Sequence, residues 1–134
     1  MKIIGIEHIG IATNNLSKAK KFWSLVLGIK NTSTEDIEKQ GVITDIYDTG
    51  AGKIELLLPK YPKSPIAKFI NKRGTGIHHI CLRVENIDEA IKELKEKNVE
   101  TIGDYYTYGA EGYTVVFIHP RSTGGVLLEL AEKI

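Results

Sequence analysis

The sequence predicts an α+β fold of two βαβββ modules whose sheets form an open barrel around a shared concavity. Three observations carry that expectation. The chain repeats itself: placing His8 on His79, an offset of 71 residues, also brings Ile6 onto Ile77, Ile9 onto Ile80, Asn15 onto Asn86 and Ala19 onto Ala90. Each repeat opens with a strand-like stretch that runs into a helical pattern and then into further strands. A second repeat-equivalent pair, Glu55 in Ile54-Glu55-Leu56 and Glu129 in Leu128-Glu129-Leu130, recurs at an offset of 74 residues.

In the first module, residues 1–58, the stretch Ile6 to Thr13 alternates as a strand, with Ile9, Ile11 and Thr13 on one face and His8, Gly10 and Ala12 on the other. Asn15 or Ser17 caps a helix whose apolar positions are Leu16, Ala19, Phe22, Trp23, Val26 and Leu27, and Gly28 ends it. Ile29 to about Thr34, Val42 to Asp48 and Lys53 to Leu58 read as strands, the last two joined by the turn Thr49-Gly50-Ala51-Gly52. Residues 59–75 form a linker in which Ser64-Pro65 starts a short amphipathic helix with Ile66, Phe69 and Ile70 inward. The second module, residues 76–134, repeats the order. Its strand runs from about Ile77 to Val84, with His79, Cys81 and Arg83 on the side away from the helix, and Asn86 or Asp88 caps the helix that follows. Val99 to Ile102 is a short strand, Tyr105 to Gly112 a Tyr- and Gly-rich loop, Tyr113 to His119 a strand, Gly124-Gly125 a tight hairpin and Gly125 to Leu130 the last strand. Helices are expected on the outside, away from the histidines.

At 134 residues the chain is one domain, long enough to bury roughly two-thirds of its unfolded surface without a structural metal. With 18 basic and 17 acidic residues it has no global field to attract nucleic acid or an anionic membrane. Cys81, the single cysteine, excludes an internal disulfide and suits a reducing compartment. The opening MKIIGIEHIG has an acidic residue and no uninterrupted apolar core, so it reads as neither signal peptide nor membrane span. A cytoplasmic protein is expected.

His8, Glu55, His79 and Glu129 are the candidate chemistry: one residue from each of four strands, at matching places in the two repeats. Two imidazoles and two carboxylates suit a borderline divalent ion such as Co, Ni, Mn, Zn or Fe in roughly octahedral geometry, with two positions open to substrate or water. A carboxylate buried in an apolar run costs several kcal/mol unless it is paired or metal-bound. The other histidines read as structural: His78 at the start of its strand, and His119, before Pro120, anchoring a turn. Cys81 reads as a small buried filler. Tyr105, Tyr106, Tyr108 and Tyr113 are candidates to close over a ligand.

The chain resembles the vicinal-oxygen-chelate superfamily, which has the glyoxalase and bleomycin-resistance fold, and within it the methylmalonyl-CoA epimerases. The segments that carry the resemblance are IEHIGIAT, KIELLLP, SPIAKFINKRGTGIHHICLRVENIDEAI and GAEGYTVVFIHPRSTGGVLLEL. It implies that His8, Glu55, His79 and Glu129 are the metal ligands and that the substrate is an acyl-CoA. Epimerisation would remove the C2 proton through a metal-stabilised enolate, with Glu129 the first choice of base and Glu55 the candidate for the opposite face. Lys60, Lys63, Lys72, Arg73 and Arg121 are candidates to meet the CoA phosphates, and family analogy implies a homodimer. One departure stands out. Some members carry a Glu three residues after the Gly of the Q-G-V turn, where Gln40-Gly41-Val42 is here followed by Ile43 and Thr44, and the neighbouring Asp45 falls on the opposite face. The alternatives are a glyoxalase I (lactoylglutathione lyase), which uses the same ligand types, a non-catalytic small-molecule-binding protein of the same fold, and a ring-cleaving dioxygenase, for which Glu55 would be surplus.

Overall fold

The structure is a computed structural model that describes residues 1–133, and the side chains of all of these except 104–107. Its elements are β1 (Ile3–Ala12), α1 (Leu16–Lys20), β2 (Lys30–Ile37), β3 (Val42–Asp48), β4 (Lys53–Pro59), α2 (Pro65–Arg73), β5 (Gly76–Val84), α3 (Ile87–Glu96), β6 (Thr101–Tyr108), β7 (Thr114–Ile118), α4 (Pro120–Thr123) and β8 (Leu128–Glu132). The chain divides into two compact units, residues 8–78 and residues 1–7 with 79–134, so β1 gives its first half to one unit and its second half to the other.

In the 8–78 unit the strands lie in the order β2-β3-β4-β1. β1 runs parallel to β4 with Gly10 opposite Glu55, and β3 pairs antiparallel with both β4 and β2. The Asn15 side chain caps α1 by accepting from the Lys18 amide at 3.0 Å. Where helical spacing predicts a regular helix to Leu27, α1 gives way after Lys20 to a wide π-type turn over Lys21–Val26. Phe22, Leu25, Val26 and Leu27 stand exposed, Leu25 by 76%.

Ser64 caps α2 by accepting from the Ala67 amide at 3.1 Å, and Pro65 occupies the first turn, where its missing N–H costs nothing. α2 departs from the expectation that helices lie away from the histidines. Ile66, Phe69 and Ile70 pack with Ala12, Val42 and Leu57, and Ala12 and Leu57 share the face of His8 and Glu55. The apolar end of that face is simply the surface available to an apolar helix stripe. Gly41 lets the chain turn beneath this contact: its φ is +62°, and a Cβ there would fall 2.7 Å from the Tyr61 ring and 2.9 Å from Ser64 Cβ.

In the other unit the order is β5-β8-β7-β6, with β5 parallel to β8 and Cys81 opposite Glu129. α3 covers one sheet face, where Val84, Ile87, Ala90, Leu94, Val116, Ile118 and Leu130 form the main core, as alternation in β5 predicts. Cys81, Tyr113, Val115 and Ala131 pack on the reverse face, with Phe117 against them. Asn86, the repeat-equivalent of Asn15, caps α3 through the Glu89 amide at 2.9 Å. Two expectations are corrected here. The Tyr- and Gly-rich segment is a strand as far as Tyr108, because β7 offers it an antiparallel partner. The Gly124-Gly125 pair is no hairpin: Gly124, at φ +87°, terminates the short helix α4, and β8 begins only at Leu128.

Candidate active site

The two units build the same arrangement from their own residues. In β1 the residue two past His8 is Gly10, and Glu55 stands opposite it on β4; in β5 the residue two past His79 is Cys81, and Glu129 stands opposite it on β8. Since side chains two apart share a face, each register brings an imidazole and a carboxylate together. His8 Nδ1 lies 2.6 Å from Glu55 Oε2, and His79 Nε2 lies 3.0 Å from Glu129 Oε2. All four residues are buried, at 5% exposure for His8, Glu55 and His79 and 7% for Glu129. Carboxylates at that depth need a cationic partner, which an imidazolium or a divalent ion supplies. Imidazole nitrogen and carboxylate oxygen fit a borderline ion, so the donors present suit the expected group.

Around the second pair, the Phe117 ring meets His79 edge-on at 5.8 Å between centroids. Cys81 is fully buried in the cluster against which Phe117 packs. The buried Nε of Arg83, next along this face, has no hydrogen-bond partner among the described residues. The backbone at Gly109 approaches the same carboxylate: a Cβ there would sit 3.8 Å from Glu129 Oε1.

The remaining histidines are structural. The His78 ring packs edge-on against Phe69 at 4.9 Å, and His119 Nδ1 accepts from the Arg121 amide at 3.0 Å, capping α4. Asp45 lies on the face away from Glu55, opposite Leu56, where it accepts from Thr34 Oγ1 at 2.5 Å and from the Tyr47 hydroxyl at 3.3 Å. Burial first, and then the Asp45 charge, push the Tyr47 phenol up to about 12. Of the tyrosines considered for closing over a ligand, Tyr113 is buried and Tyr108 exposed, while the side chains of Tyr105 and Tyr106 lie outside the described residues. Of the candidate phosphate-binding cations, Lys60 is already engaged by Asp36 and Glu38, and Arg121 by Glu100 at 2.9 Å. Sequence reasoning passed over Glu35. It ends the second strand at about Thr34, whereas β2 continues to Ile37 and sets Glu35, half-buried, opposite Thr44 on the face of Glu55.

Paired strand-helix-strand units carrying matched His–Glu pairs define a class, and the sequence profile of the Glyoxalase/Bleomycin resistance protein/Dioxygenase superfamily matches residues 7–117. The human mitochondrial methylmalonyl-CoA epimerase is 38% identical over 128 residues, which is 95% of this chain and 73% of that protein. The crystal structure of methylmalonyl-CoA epimerase from Mycobacterium tuberculosis superposes with a TM-score of 0.94 at 32% identity, over 98% of this chain and 89% of that one. A Streptomyces coelicolor methylmalonyl-CoA epimerase variant in complex with 2-nitronate-propionyl-CoA gives 0.92 at 30% identity, over 98% and 99%. The chain belongs to the methylmalonyl-CoA epimerase family of that superfamily.

Proposed function

We propose that this protein is an enzyme that interconverts the (R) and (S) epimers of methylmalonyl-CoA by moving the proton at C2. The observation that carries the reading is the duplicated, buried His–Glu pair in a chain whose relatives along nearly its whole length include methylmalonyl-CoA epimerases. His8, Glu55, His79 and Glu129 are assigned as the ligands of one divalent ion, of the Co, Ni, Mn or Zn type. When bound, such an ion supplies Lewis-acid stabilisation, worth several kcal/mol, of the charge that develops as the C2 proton leaves. Glu129 is assigned the proton on one face of C2, and Glu55 is the sequence-derived candidate for the other. A positioned base contributes about 10²–10⁴ in rate. Burial keeps water from competing for these carboxylates.

The Arg83 Nε, buried and without a hydrogen-bond partner among the described residues, supports an anionic substrate on the face that bears His79 and Glu129. The protein is further assigned to the cytoplasm, on its lone cysteine, and to a homodimer, for which the exposed apolar residues Phe22, Leu25, Val26 and Leu27 offer a surface. Among the described residues no helix is long and apolar enough to cross a membrane.

The test is to load the protein with Co, Ni, Mn or Zn and assay it on single epimers of methylmalonyl-CoA and, separately, on methylglyoxal with glutathione. Epimerisation of the first and no isomerisation of the second are expected. The reverse result establishes a glyoxalase.

A further inference from the structure

Epimerisation needs a proton acceptor on one face of a planar C2 and a proton donor on the other, so a single carboxylate cannot complete it. We propose that Glu35 is the second acid-base group for the C2 proton, in place of Glu55; this rests on the epimerase reading. Residues Ser33, Glu35 and Ile37 of β2 stand opposite Ile46, Thr44 and Val42 of β3, and these in turn stand opposite Glu55, Leu57 and Pro59 of β4. Alternation therefore places Glu35 on the face that bears His8 and Glu55. Burial agrees: Ser33, Glu35 and Ile37 are half-buried, whereas Thr34 and Asp36 between them are exposed.

The carboxylates of β3 and β4 face groups other than this position. Glu55 holds His8 at 2.6 Å, and Asp45 is bonded to Thr34 and Tyr47 on the reverse face. Asp48 is exposed at the strand end and accepts from the Gly50 amide at 2.7 Å. Directly beside Glu35 stands Thr44, buried and uncharged, which leaves the position next to it without a rival base. Two strand spacings and two residues along the strand put the Glu35 and Glu55 backbones on the order of 12 Å apart, room for a small acyl group between the side chains.

In one turn, the Glu35 carboxylate takes the C2 proton and the C–H electron pair enters the enolate. Glu129, protonated at the outset, then delivers its proton to the opposite face. The enzyme is left with Glu35 protonated and Glu129 ionised, the state that accepts the other epimer.

Each epimer is incubated in deuterated water with metal-loaded wild type, Glu35→Gln and Glu35→Asp, following C2 deuterium, inversion and bound metal per chain. Glu35→Gln should lower the kcat of epimerisation by about 10²–10⁴, with KM and metal content within about twofold. One epimer should still exchange its C2 proton without inverting, through Glu129. Glu35→Asp should restore inversion in part. Glu35→Gln that inverts at nearly the wild-type rate, or that loses metal and both exchanges together, overturns the assignment while leaving the epimerase reading intact. A wild type that exchanges neither epimer overturns both.

Discussion

At Tyr47 a phenol with no exposed surface stands beside the Asp45 carboxylate, and its ionisation is held back to about 12. In the unfolded chain a tyrosine ionises near its ordinary value of 10.0. Between these two values the unfolded state binds fewer protons than the folded one, so stability falls as pH rises. The contribution is fully present below about pH 10 and is lost by about pH 12. Denaturant melts across that window should show a steeper alkaline loss for wild type than for Tyr47→Phe, and parallel curves would exclude the effect. The same strand shows what residue-level reading can and cannot reach. Alternation alone sets Asp45 on the face opposite Thr44, and the register of β3 on β4 agrees. Glu35 was hidden because a polar stretch, Ser33-Thr34-Glu35-Asp36, gives no apolar alternation. The register shift between Asn31 and Ser33 further masks its parity.

Among the elements, α2 depends on its start. The Ser64 hydroxyl, fully buried, satisfies the Ala67 amide, one of the four N–H groups that a helix N-terminus leaves open. Ser64→Ala keeps the Cβ that packs over Gly41 and removes only the acceptor. A loss of about 1 kcal/mol, or roughly 3–6 °C in Tm, is expected by thermal melting, and an unchanged Tm would show that water or a neighbour takes over the cap. The cap and the inward stripe of α2 are legible in the sequence. The sheet face that receives the stripe is not, since Ile66, Phe69 and Ile70 bury equally well against any apolar surface of the right width. The wide turn after α1 is also unreadable, because Phe22, Leu25 and Val26 fit regular helical spacing and only the course of the chain to Ile29 settles the winding.

For the molecule as a whole, the two His–Glu pairs raise a question of stoichiometry. If they are ligands of one ion, metal analysis of the loaded protein should return one divalent ion per chain, with chelation abolishing epimerisation and lowering Tm. An ion held at 100 times its Kd adds about 2.7 kcal/mol to the folded state. Two ions per chain, or none with activity retained, would refute the shared site. Duplication is a property of the sequence itself: His8 with His79, Glu55 with Glu129 and Asn15 with Asn86 recur because each unit needs the same strand, cap and carboxylate. That repetition, with its two-residue alternation, determined the α+β class, the helix caps and the four residues worth suspecting. Tertiary structure decided the registers, Gly10 against Glu55 and Cys81 against Glu129, which turn suspicion into His–Glu contacts of 2.6 and 3.0 Å. It also decided that Glu35 shares the face of His8 and Glu55. Register is a relation between strands distant in the chain, and a slip of one residue would reverse every side chain without altering the local pattern.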